Sequence, residues 1–132
     1  MPQVNLIAVL LCGVASLVLG GLWYSPMLFA NAWQRGAGLS DEQAKSGNMA
    51  VIFGGAFVIS LIAAYVFGMF LGNSMPLAGA VGAGFSAGLC WVAGSFGINY
   101  LFERRPLGLW LINGVYHTLQ FTVFGLILGL VR

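Results

Sequence analysis

The sequence predicts an all-α fold: a polytopic membrane protein of four transmembrane helices, with a short amphipathic helical loop between spans 1 and 2. Three observations predict it. Hydrophobic residues form 60% of the chain and mean hydropathy is +0.95. Charged residues form only 6%, against roughly 25% in soluble domains, too few to cover a water-facing surface. The apolar residues fall in four runs, each near the ~20 positions that a hydrocarbon core about 30 Å thick requires. Four such runs leave little of the 132 residues beyond loops, so the chain reads as a single membrane domain. Any site must lie in the bundle or in the loops beside it.

The first span covers about residues 5–24 and ends at Ser25-Pro26, because proline can open a helix but cannot continue one. Although Ala30-Asn31-Ala32 resembles a signal-cleavage site, no basic segment precedes the apolar run, so this span is expected to be retained. The loop at 26–47 follows. From Pro26 to Arg35, Met27, Phe29 or Ala30, and Trp33 recur at helical spacing, which suits an interfacial helix that Gly36 and Gly38 stop. Ser40 with Gln43 has capping-box spacing, and Asp41 and Glu42 suit the first turn of a second short helix. The second span, about 49–71, carries no charge; its polar groups are Ser60 and Tyr65. Gly72-Asn73-Ser74-Met75-Pro76 is a tight turn into the third span, about 77–101. Glu103-Arg104-Arg105-Pro106 turns the chain into the fourth, about 107–131.

Four of the five cationic side chains, Arg35, Lys45, Arg104 and Arg105, fall in the first and third connections, and Arg132 lies on the opposite side. The positive-inside rule then places those connections in the cytoplasm and both termini in the periplasm, in one dominant orientation. Trp23, Tyr24, Trp33, Tyr100 and Trp110 mark the same boundary and read as interface anchors. Glu103, Arg104 and Arg105 have two readings, an orientation signal with a surface ion pair or a site for an anionic lipid headgroup.

The 20 glycines recur at four-residue steps: Gly68 and Gly72, then Ala80, Gly84 and Gly88, then Gly125 and Gly129, with Cys12, Ser16 and Gly20 forming a similar row. Such rows let helix backbones approach closely, within one bundle or between copies, and a homo-oligomer through glycine-rich faces is expected.

His117 is the one ionisable side chain within a span, and such residues are candidates for function because hydrocarbon disfavours them. Asn113, Tyr116, His117 and Gln120 are spaced to share one face of the fourth span. Trp91, Ser95 and Asn99 form a second line on the third. An antiparallel pairing about the Arg104 turn levels Asn99 with Trp110, Ser95 with Gly114 and Trp91 with Thr118. The two lines are then expected to face each other around a polar pocket that opens near Glu103, Arg104 and Arg105. The other reading makes these groups interhelical hydrogen-bond glue.

The three acids, Asp41, Glu42 and Glu103, lie in loops, so no catalytic dyad or triad can be drawn within the membrane and no enzyme is expected. Cys12 and Cys90 lack metal-ligand spacing and read as buried hydrophobes. One histidine cannot supply two haem ligands within a chain. No metal or other cofactor is expected, and the net charge of +2 points to no nucleic acid.

Gly21-Leu22-Trp23-Tyr24-Ser25-Pro26, Leu28-Phe29, Trp33, Gly38-Leu39-Ser40 and Asn99-Tyr100-Leu101-Phe102-Glu103-Arg104-Arg105, with Asn113 and Tyr116, resemble a family of small four-span bacterial membrane proteins known as a domain of unknown function. The resemblance covers nearly the whole chain. It implies the bacterial inner membrane and supplies no activity. The polar stripe and the glycine faces together lead to the expectation of an oligomeric channel or facilitator for a small solute. The alternative is a non-catalytic membrane scaffold or accessory subunit that binds a partner or lipid.

Overall fold

The computed structural model describes residues 3–132, which are helical apart from their connections. Six helices follow in order: α1 (Leu6–Trp23), α2 (Ala30–Ala37), α3 (Asp41–Lys45), α4 (Met49–Leu71), α5 (Leu77–Glu103) and α6 (Leu107–Leu130). Four of them, α1, α4, α5 and α6, are long and apolar enough to cross a membrane, so the all-α, four-span architecture is as the composition predicts.

Local sequence sets the helix ends. Asn5 accepts from the Ile7 and Ala8 amides at the start of α1, and Asn48 accepts from Ala50 and Val51 at the start of α4, each satisfying orphan N–H groups of a first turn. Pro76 and Pro106 stand at the heads of α5 and α6, where a missing N–H costs nothing. Ser40 and Gln43 form the reciprocal capping box of α3. Gly38 and Gly72 end α2 and α4 at φ 73° and 68°, backbone that glycine adopts without strain. The end of α5 uses Arg104 at φ 58° instead. The interfacial helix differs from expectation: residues 25–29 form turns, α2 begins at Ala30, and Gly36 lies inside it. The reason is packing, since Gly36 sits against Leu109 of α6, where a Cβ would come within 3.0 Å of the leucine Cβ.

The spans pack as two antiparallel hairpins, α1 with α4 and α5 with α6, joined mainly where α1 meets α6. The lateral order is therefore α5, α6, α1, α4. Helices α4 and α6 also touch, through the edge-to-face pair Phe67 and Phe121 and through Leu128 above Gly68. Ala8, Cys12, Ala64, Ala80 and Phe124 are fully buried in the shared core. The first half of α4, residues 49–59, is exposed at nearly every position and presents its apolar side chains to lipid.

Along α5 and α6 the backbones touch. A Cβ on Gly84 would overlap the Phe121 carbonyl oxygen, and one on Gly125 would overlap the Ala80 carbonyl oxygen. At Gly88 a Cβ would stand 2.7 Å from the His117 carbonyl oxygen, and at Gly129 it would stand 2.9 Å from Leu77. These glycine rows serve contacts within one chain, as does Gly20, which lies against the Tyr116 hydroxyl.

Helix α5 is not α-helical throughout: Ala87–Ala93 forms a π-helical segment. The residues facing α6 are Ala80, Gly84 and Gly88, then Ala93 beside Gly114 and Gly97 beside the Trp110 indole. The steps are four, four, five and four, and the step of five falls within the π segment. One inserted residue turns the face that follows by about 100°.

Candidate functional site

The polar stripe of α6 does share one face, and that face turns toward α1 and α4. Gln120 Nε2 donates to Ser16 Oγ at 2.6 Å and approaches Ser60 Oγ at 3.5 Å. Ser16 and Ser60 hydroxyls meet at 3.1 Å, and the Tyr116 hydroxyl donates to the Ser16 carbonyl oxygen at 3.0 Å. With its nitrogen on the serines, Gln120 presents Oε1 to His117 Nδ1 at 2.7 Å, so that Nδ1 carries the proton. The His117 ring stacks on Phe96 with centroids 5.1 Å apart and meets Tyr116 edge-on at 4.9 Å. Ser16, Ser60 and Gln120 are all buried. Three spans are thus sewn together in the low-dielectric core, where a polar group without a partner is most costly.

Asn113 forms a second lash one turn nearer the arginine-bearing boundary. Its Oδ1 accepts from the Tyr24 hydroxyl at 2.6 Å and its Nδ2 donates to the Tyr100 hydroxyl at 2.8 Å, which ties the ends of α1 and α5 to α6. Tyr24 also packs edge-on against Trp33 of α2, with centroids 6.0 Å apart. Trp23 donates to the Ile112 carbonyl oxygen at 2.9 Å and leans on Phe29. Trp110 donates to the Ala93 carbonyl oxygen at 2.8 Å, taking up a carbonyl of the π segment. Trp23, Tyr24, Trp33 and Trp110 therefore make specific contacts within the chain at this level as well as marking it.

Trp91, Ser95 and Asn99 do not face the α6 stripe. The expected pairing of the two lines fails because the π segment rotates this part of α5, and small residues, Ala93 and Gly97, take the seam. Trp91 is 71% exposed, and Ser95 and Asn99 are exposed too. The three border an open groove of about 410 Å³ on the outer side of α5, with Val92 and Phe96. A plain α-helix would have carried Ser95 and Asn99 onto the side of Gly88.

A smaller pocket, about 170 Å³, opens at the boundary among Trp33, Ala37, Tyr100, Glu103, Arg105, Leu109 and Asn113. Arg105 pairs with Glu103 at 3.5 Å and reaches the Ala37 carbonyl oxygen at 3.4 Å. Arg104 adopts the left-handed turn beside it. Of the expected polar-pocket residues, only Asn113 lines this opening. Helix α2 of the loop supplies Trp33, expected as an anchor, and Ala37.

Sequence reasoning passed over Ser16, Ser60 and Tyr24 as partners of the stripe. Ser16 stood in a small-residue row read as packing, and Ser60 was the lone small polar group of an apolar span. The acids remain apart from the seam: Asp41 accepts from Gln34 at 2.7 Å in the loop, and Glu103 pairs with Arg105. Among the described residues no three His, Cys, Asp or Glu side chains gather where a metal would need them. Cys12 is buried, as expected, but Cys90 is exposed.

Four apolar helices of spanning length, sewn by buried side-chain hydrogen bonds, define a multi-pass helical membrane protein. The chain belongs to the DUF1761 family, described as a protein of unknown function, which matches residues 7–129. Comparisons with curated proteins and with solved structures give no match.

Proposed function

We propose that the protein is a non-catalytic scaffold of a bacterial inner membrane, a braced bundle that offers binding surfaces and carries no solute path within one chain. The observation behind this reading is the saturation of the α6 stripe. Asn113, Tyr116, His117 and Gln120 bond directly to groups of the same chain at 2.6–3.0 Å, distances that leave no opening between the partners. Among the described residues no buried side-chain nitrogen or oxygen lacks a partner. Its cytoplasmic side is the one carrying Arg35, Lys45, Arg104 and Arg105. There the boundary pocket, with a guanidinium, a carboxylate, a phenol and an indole around it, suits a lipid headgroup.

A channel or facilitator for a small solute is the second reading, favoured by the way Asn113 reaches the boundary pocket. Liposome flux separates the two. Wild-type protein is expected to pass water, glycerol and urea no faster than protein-free vesicles. Flux by the wild type that a folded Gln120→Leu or Asn113→Leu variant loses sinks the scaffold reading.

A further inference from the structure

The outward line on α5 is the part of the molecule whose polar groups the chain leaves unanswered. Trp91 lies near the middle of Leu77–Glu103, whereas tryptophan ordinarily sits at headgroup level. Among the described residues, no hydrogen bond uses its indole N–H or the Asn99 amide. The Ser95 hydroxyl donates back to the Trp91 carbonyl oxygen at 2.6 Å, which leaves its lone pairs free to accept. Hydrocarbon offers the Trp91 indole no partner. The π segment adds a second observation. Such insertions disturb the helical hydrogen-bond ladder and recur at functional positions, and this one directs Trp91, Ser95 and Asn99 outward while Ala93 and Gly97 take the seam with α6.

We propose that this face binds a second copy of the chain, the two α5 helices meeting about a two-fold axis along the membrane normal. Copies inserted in one orientation present the same face at the same depth, and such an axis brings each residue against its own counterpart. A side chain at the axis must therefore complement itself. The Asn99 amide does so, since it both donates and accepts. Ser95 offers acceptors to donors across the axis, and the Trp91 ring has a groove of about 410 Å³ beside it to fill. No charged side chain borders that groove, so copies meet without like-charge repulsion in the hydrocarbon. The glycine rows of α5 and α6 are occupied inside the chain, so the interface does not use them. The proposal is independent of whether the chain passes a solute.

The test uses the full chain in phosphatidylcholine bicelles, with association read by energy transfer between copies labelled on a C-terminal tag. Asn99→Leu and Trp91→Leu are each expected to weaken association about tenfold, equivalent to 1.4 kcal/mol, while Asn99→Gln keeps it. Among the described residues neither the Trp91 nor the Asn99 side chain makes a hydrogen bond, so thermal unfolding of the variants is expected to match the wild type. In a Cys90→Ser background, mild oxidation of Asn99→Cys is expected to give a disulfide-linked dimer. Leu101→Cys, exposed on another side of α5, is expected to stay monomeric. A monomeric wild type overturns the proposal. So do unchanged association in both leucine variants and equal cross-linking at positions 99 and 101.

Discussion

Gln120 of α6 reaches Ser16 of α1 at 2.6 Å, and the same amide holds His117 through its oxygen at 2.7 Å. One side chain thus bridges the two hairpins and fixes the histidine proton. Gln120→Leu keeps the bulk but leaves His117 Nδ1 without its acceptor, and Ser16 and Ser60 with only each other and the Tyr116 hydroxyl. Interhelical hydrogen bonds in membranes average about 0.6 kcal/mol, so losing two to three of them is expected to lower stability by about 1–2 kcal/mol. Thermal unfolding in detergent measures it, and an unchanged midpoint would show that the bridge contributes nothing.

Asn113 holds two phenols at once. Tyr24→Phe removes one bond and is expected to destabilise by about 1 kcal/mol. Asn113→Leu strands both hydroxyls and is expected to do more damage than Tyr24→Phe and Tyr100→Phe do singly. A double-mutant cycle between Tyr24 and Asn113 should return a coupling of about 0.5–1.7 kcal/mol.

The α5 and α6 backbones leave no room at the glycines between them. Gly84→Ala drives a methyl into the Phe121 carbonyl and Gly125→Ala into that of Ala80, so each is expected to cost about 1–3 kcal/mol or prevent folding. Gly82→Ala meets nothing within 4 Å and is expected to be neutral or, through helix propensity, slightly stabilising. Comparable losses at positions 82 and 84 would contradict the close approach.

The π segment makes an unusual deletion tolerable. Removing Cys90 shortens the step from Gly88 to Ala93 from five to four, so that an ordinary α-helix carries the same seam residues. The variant is expected to fold with a melting temperature near that of the wild type. Removing Val81, where α5 is already α-helical, shifts the seam by about 100° and is expected to abolish folding. Thermal scans of the two deletions make the comparison.

Much of this fold was legible because a bilayer imposes length and apolarity: the spans and the Ser40–Gln43 box follow from such rules. The stripe on α6 was legible as a face, since Asn113, His117 and Gln120 keep helical spacing. Its partners were not. Periodicity says which residues share a side but not which helix covers it, and three neighbours compete for α6. The outward turn of Trp91, Ser95 and Asn99 was missed because an unbroken 3.6-residue repeat was assumed. The signal was the row of small residues itself, which runs Ala80, Gly84, Gly88 and then, where a four-residue repeat would meet Val92 and Phe96, skips to Ala93 and Gly97.

The lateral order of the spans has a consequence for biogenesis. Ser16 and Gln120 lie 104 residues apart, so α1 waits for α6 to be made before Ser16 meets the glutamine amide. At about 5–20 residues per second that wait amounts to roughly 5–20 s. During it the leading hairpin stands in the bilayer with Ser16 and Ser60 able to serve only each other. Newly made protein is therefore expected to be most exposed to quality-control proteases, and to wrong pairing with nascent neighbours, before α6 arrives.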